Sequence, residues 1–273
     1  MTQTPLAQQP IPLADDEDVR LVLGRIAESR TIVLTTHEGA DGDGTGAELA
    51  LAHALRRLGK TVTIMHSSPL SRRFLFMDRH ADIRVFKPGC VAEIADADLV
   101  LLIDTCELRR TGPLGEAIAT RTGPTLAIDH HPRNGNSIDG MLRSAFSSTG
   151  ELMVHVMDLL GVSLSPDIAN WLYCAILFDT NQFRFTRNRP EVLETAARLV
   201  RAGADAELCG SRMFGTVRPD RLILAGRVLE NATFEFDGRF AWATVTLETM
   251  SGLKVDSDEV RSMVNVLGDL EGV

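Results

Sequence analysis

The sequence predicts an α/β fold in which a parallel sheet carries helices on both faces. Three observations support this. Short apolar, β-branched runs at residues 31–36, 99–103 and 125–128 suit buried strands. Segments of helical periodicity lie between them, such as 44–55, ending near Gly59, and 113–120, with a proline near its start. The alternation of the two kinds of segment requires crossover connections, which place strands parallel and cover both sides.

Taken in order, residues 1–14 hold Gln, Thr and three prolines and read as a mobile tail. From about Asp15 to Ser29, Val19, Val22, Leu23 and Ile26 keep helical spacing, with acids in the first turn. The strand at 31–36 runs into His37-Glu-Gly-Ala-Asp41-Gly-Asp43, and the helix that follows opens with small residues suited to close approach to the sheet. Gly42, Gly44 and Gly46 are spaced G-x-G-x-G, which departs from the dinucleotide fingerprint G-x-G-x-x-G. Strands are expected at 61–65 and 82–86, short helices at 72–77 and 91–95, and the strand at 99–103 ends in Asp104. The strand beginning at Thr125 ends in Asp129-His130-His131, and 141–146 suits an edge strand.

Ser147-Ser148-Thr149-Gly150-Glu151 opens an apolar helix through Leu160, where hydroxyls and free amides can meet a phosphate or simply cap the helix. A helix over 168–178 delivers Asp179. Arg184 lies between Phe183 and Phe185; a strand there would point the arginine away from the rings, toward a substrate phosphate or toward solvent. Helices at 191–202 and 218–229, a hairpin over 233–246 turning at Asp237-Gly238, and a helix over 257–267 complete the chain.

The composition is that of a globular protein with ample core: 273 residues, 44% hydrophobic and 24% charged. With 28 basic against 37 acidic residues, the net charge of −9 argues against a basic surface for long duplex nucleic acid. Cys90, Cys106, Cys174 and Cys209 form no C-x-x-C pair and read as reduced, buried thiols. No apolar run approaches a membrane span and no basic residue precedes Arg20, so a cytoplasmic protein without membrane contact is expected.

The chemistry is concentrated at the ends of elements, where His37, Asp41, Asp43, Asp104, His130, His131 and Asp179 all fall. Carboxylates converging on one crevice without cations would repel and take up protons, and two divalent metals remove that conflict. Aspartate and histidine without thiolate favour manganese or magnesium, with zinc compatible. Two such ions, bridged by Asp104, activate water and stabilise the oxygens of an in-line attack on phosphorus. Phosphoester hydrolysis is the reaction this predicts.

His37-x-x-x-Asp41-x-Asp43, Asp104 after a strand, Asp129-His130-His131 and Asp179-Thr180, in this order, resemble the four motifs of the DHH phosphoesterase superfamily. Ser147 to Glu151 and Phe183-Arg184-Phe185 are similar to its nanoRNase and pAp-phosphatase branch. The resemblance implies one metal site from His37, Asp41 and Asp104 and another from Asp43, Asp104, His130 and Asp179. It places His131 beside the substrate phosphate, with Asp104 and Asp43 completing the catalytic set, and Asp129 as a residue orienting a ligand histidine. Two Mn2+ ions are implied, with Mg2+ or another divalent cation able to replace them. The implied domains are a DHH catalytic domain over 15–188, a helical connector over 189–229 and a partial DHH-associated domain over 230–273.

Three departures stand out. Ala40 and Asn181 occupy positions where the family commonly has proline and glycine, and the chain has no Gly-Gly, so the glycine-rich G-G-G-H loop of the associated domain is missing. A truncated or naturally reduced substrate-binding domain is therefore expected. The leading expectation is a two-metal hydrolase of short oligoribonucleotides, of pApA- or pGpG-type dinucleotides and of pAp, with Ser147, Ser148, Thr149 and Arg184 as candidate substrate contacts. The alternatives are a manganese-dependent pyrophosphatase or polyphosphatase and a non-catalytic nucleotide-binding module; a homodimer is compatible with each.

Overall fold

A computed structural model describes residues 16–215 and 218–273; the tail expected over 1–14 lies outside the described residues. The first half of the chain runs α1 (Glu17–Glu28), β1 (Thr31–Thr35), α2 (Gly42–Arg57), β2 (Thr61–His66), β3 (Ile83–Val85), α3 (Val91–Asp96), β4 (Leu99–Ile103), α4 (Pro113–Ala119), β5 (Thr125–Asp129) and β6 (Gly140–Leu142). Helices follow: α5 (Thr149–Leu159), α6 (Pro166–Asp179), α7 (Pro190–Arg201), α8 (Ala206–Gly210) and α9 (Pro219–Glu230). The chain closes with β7 (Thr233–Glu235), β8 (Phe240–Trp242), α10 (Leu247–Leu253), α11 (Ser257–Arg261) and α12 (Met263–Gly268).

Strands β1 to β6 form one all-parallel sheet in the order β3-β2-β1-β4-β5-β6, and β7 and β8 pair antiparallel. Side chains of β1 alternate between faces, as the two-residue period of a strand requires. Ile32 and Leu34 join a core with α1, α2, α5, α6 and α7, while Val33 joins Val100, Leu102 and Ala127 under α3 and α4. Each fully buried aliphatic side chain in these layers contributes roughly 1.5–3 kcal/mol of transfer energy. A third cluster, Leu224, Val228, Leu253, Val255 and Met263, holds the C-terminal elements together.

From β1 the chain winds outward to β2 and β3, then returns across the sheet to β4 and continues outward the other way. The loops leaving β1 and β4 therefore diverge, opening a crevice at the carboxyl ends of the strands. Close helix packing roofs it. A Cβ on Gly46 in α2 would sit 2.4 Å from the Trp171 carbonyl oxygen of α6, so only glycine admits this approach.

Several expectations are corrected. Residues 72–77 form turns in place of a short helix, pinned where Trp171 Nε1 donates to the Met77 carbonyl and Arg73 Nε to the Met213 carbonyl. Residues 181–185 are turns in place of a strand, with Phe185 N donating to the Thr180 carbonyl. The helix expected over 257–267 breaks at Ser262, whose hydroxyl donates to the Glu259 carbonyl and accepts from Arg221. The hairpin strands are three residues each, because Phe236, Asp237 and Gly238 all adopt positive φ. Cys90 is half-buried, whereas the other three cysteines are buried. Among the described residues, no helix is long and apolar enough to cross a membrane.

Candidate metal centre

The loop after β1 contributes the first ligand group. Asp41 is the N-cap of α2, and its Oδ1 accepts from the Asp43 and Gly44 amides at 3.0 and 3.2 Å. Its other oxygen, Oδ2, lies 3.4 Å from His37 Nε2. One oxygen of Asp41 thus caps the helix while the other faces His37. His37 Nδ1 donates to the Glu38 carbonyl at 3.0 Å, which leaves Nε2 facing Asp41 and, at 3.7 Å, Asp104. Such a bond on the far nitrogen fixes the tautomer that a metal needs.

Asp104 follows β4 with φ +60°, a left-handed conformation that costs about 1 kcal/mol in a residue with a side chain. Its amide donates to the Ile128 carbonyl at 3.0 Å, and its Oδ1 accepts from Thr149 Oγ1 at 2.8 Å. Neighbouring strand and helix together hold the strained turn.

Asp43 is fully buried, with Oδ2 accepting from the Thr149 amide at 2.7 Å and Oδ1 from the Gly150 amide at 2.8 Å. The N-terminus of α5 therefore binds this carboxylate, where the sequence suggested a phosphate. The hydroxyls there are also committed. Ser147 Oγ donates to Glu151 Oε2 at 2.8 Å, Ser148 Oγ accepts from the Glu151 amide at 2.9 Å, and all three of Ser147, Ser148 and Thr149 are buried. Ser147 and Ser148 thus turn to Glu151, and Thr149 to Asp104 and Asp43 of the cluster. Arg184 is exposed and paired with Asp269 at 2.8 Å.

His130 Nε2 lies 3.3 Å from Asp179 Oδ2, 3.6 Å from Asp104 Oδ1 and 3.8 Å from Asp43 Oδ2. It is buried and has no hydrogen-bond partner, while its Nδ1 faces the Phe146 carbonyl at 3.5 Å. Asp129 meets the other histidine. Its Oδ1 accepts from the amide and ring Nδ1 of His131, at 3.0 and 2.8 Å, so it orients the more exposed His131 and not His130.

Three overlapping groups result: His37, Asp41 and Asp104; Asp43, His130 and Asp179; and Asp104, Asp129, His130 and His131, each with ligand atoms within 4.8 Å of one another. These oxygen and imidazole donors, with an orphaned buried Nε2 among them, fit a hard or borderline divalent cation. The electrostatics agree. Burial and the neighbouring carboxylates push Asp43 and Asp104 well above the usual carboxylate range, and burial with Asp41 raises Asp179 to about 7. Burial and His131 lower His130 to about 4, leaving the neutral imidazole that ligates metals. Against the effect of burial, His37 is raised by Asp41, and Asp41 is lowered by His37.

The family model described as "DHH family, N-terminal domain" matches residues 31–176. The chain belongs to the DHH family. It is 33% identical over 255 residues to the bifunctional oligoribonuclease and PAP phosphatase NrnA of Thermus thermophilus, an alignment covering 91% of this chain and 73% of that protein. Among solved structures, an exopolyphosphatase-related protein from Bacteroides fragilis superposes with a TM-score of 0.83 at 23% identity, covering 93% of this chain and 76% of that one. A putative family II inorganic pyrophosphatase from Methanococcus jannaschii gives 0.53 at 18% identity, covering 87% and 80%. Those two likenesses speak to the DHH-family fold alone.

Other residues of this DHH-family site carried no local signal in the sequence. Arg189 forms a buried pair with Glu151 at 3.0 Å and also donates to the Ala145 carbonyl, bracing the loop before α5. Arg261 arrives from the C-terminal segment, its Nη2 3.4 Å from where a Cβ on Gly39 would lie. Asn181, in the position where the family commonly has glycine, adopts φ +46°, which explains that preference.

Proposed function

We propose that this DHH-family chain, a metal-dependent phosphoesterase, hydrolyses short oligoribonucleotides and dinucleotides of the pApA type to mononucleotides, and pAp to AMP. The observation that carries the reading is the orphaned Nε2 of His130 at the meeting point of Asp43, Asp104 and Asp179. Sequence similarity to the NrnA protein supports the substrate class.

In this reading His37, Asp41 and Asp104 hold one divalent ion, and Asp43, Asp104, His130 and Asp179 hold a second, with Mn2+ preferred and Mg2+ able to substitute. Held there, the ions would supply Lewis acidity that lowers the pKa of a water and stabilises the oxygens around phosphorus. Asp104 faces both groups and would contribute an oxygen to either ion. His131, 40% exposed and steered by Asp129, presents Nε2 to a phosphate oxygen and stabilises the charge that grows there. The buried α5 amides hold Asp43 still, so that little reorganisation is needed during reaction. We assign residues 15–188 as the catalytic domain, 189–229 as the connector and 230–273 as part of a substrate-binding domain, acting in the cytoplasm.

The test is hydrolysis of pApA, pAp and pyrophosphate in parallel, with manganese, magnesium or chelator. Manganese-dependent release of AMP from pApA supports the reading. Turnover of pyrophosphate alone would move the chain to the pyrophosphatase alternative, and cation binding without turnover would make it a binding module.

A further inference from the structure

A cavity of about 460 Å³ lies beside the carboxylate cluster, and Arg72, Arg73, Arg212, Arg218 and Arg221 line it. In a chain of net charge −9, five guanidiniums around one cavity need an explanation. Three acids share the wall and offset part of this charge: Asp258 lies 3.6 Å from Arg73 and Glu259 3.8 Å from Arg218, while Asp256 and Glu259 also exchange capping bonds with each other's amides at 2.9 and 3.0 Å. Arg221 has only the Ser262 hydroxyl, at 3.2 Å, and Arg72 and Arg212 form no ion pair among the described residues.

Met213 lies between the cavity and the metal centre. It lines the cavity, and its Cε lies 2.7 Å from where a Cβ on Gly42 would be, between the ligands Asp41 and Asp43. Leu75 and Phe76 give the cavity an apolar wall. Guanidinium forks beside an apolar surface match a nucleoside phosphate, the charge on the forks and the base on the wall.

We propose that this pocket binds the 5′-phosphate of the substrate that is not cleaved, while the reacting phosphorus sits at the carboxylate cluster one nucleoside away. The proposal rests on the phosphoesterase reading above and extends it. In both pApA and pAp a 5′-phosphate stands one nucleoside from a reactive 3′-phosphorus, so a single anchor serves a diester and a monoester.

The test uses the full chain and the double variant Arg212→Gln/Arg221→Gln, which spares Arg73, itself packed on Phe74, Phe178 and Phe214. Calorimetric titration with AMP and with adenosine, in chelator, reads the pocket without turnover. Wild type should bind AMP about tenfold or more tightly than adenosine, and the double variant should lose most of that difference. Equal binding by wild type, or a preference that survives in the double variant, overturns the proposal. With manganese, the kcat/KM ratio of pApA over ApA should fall toward one in the double variant. An equal loss on both substrates would mark the arginines as structural and also overturn it. Absence of any phosphoester turnover sinks the functional reading, while the AMP titration still decides the pocket.

Discussion

Asp104 faces both ligand groups, lying 3.7 Å from His37 and 3.6 Å from His130, and no other carboxylate replaces it. Asp104→Asn should lower manganese-dependent turnover by about a hundredfold or more and weaken metal binding, while circular dichroism stays that of the wild type. The acidity of the site gives a pH prediction. Asp179, raised from 3.8 to about 7, binds more protons folded than unfolded, so its contribution to metal-free stability is full below about pH 4 and is lost as pH rises through 7. His130, lowered from 6.5 to about 4, acts in the opposite sense between those values and is silent above 6.5. Between pH 6.5 and 8 the carboxylates therefore dominate. The melting temperature of chelator-treated protein should fall by several degrees across that interval, with a smaller slope in Asp179→Asn, and saturating manganese should reverse the fall. A flat profile would contradict the crowding of acids.

Between elements, the contact of α2 with α6 is set by glycine. Gly46→Ala should cost roughly 1–3 kcal/mol in chemical denaturation, since its methyl group would meet the Trp171 carbonyl at 2.4 Å. Asn181→Gly should gain up to about 1 kcal/mol, as φ +46° suits glycine better. Strands β1, β4 and β5 were readable because their apolar runs stop at the polar residues of the cluster, and the buried sheet tolerates little else between. The turns at 72–77 were not, because the bonds that shape them come from Trp171 and Met213, far along the chain. Local periodicity carries no record of such partners. The same holds for Ser147 to Thr149, whose hydroxyls the sequence offered to substrate and the fold turned inward to Glu151 and Asp104. The residues that converge on the cluster were legible, but the anchoring of Asp43 by amides 106 and 107 residues away was not.

Across the whole molecule, the C-terminal elements pack on their own apolar cluster, separate from the two that cover the sheet. Their described links to the catalytic side are polar: Ser71 to Asp256 at 2.8 Å, Arg73 to Asp258 at 3.6 Å and Arg184 to Asp269 at 2.8 Å. Of these, Arg184–Asp269 is exposed, and a pair of that kind is weak and screened by salt. Asp269→Ala should change global stability by no more than about 0.5 kcal/mol, measured by denaturant titration. Separation along this seam would wet charges that water accepts readily and expose little of any core. Ionic strength should therefore act as a dial on substrate access: as potassium chloride is added, KM shifts well before the melting temperature does.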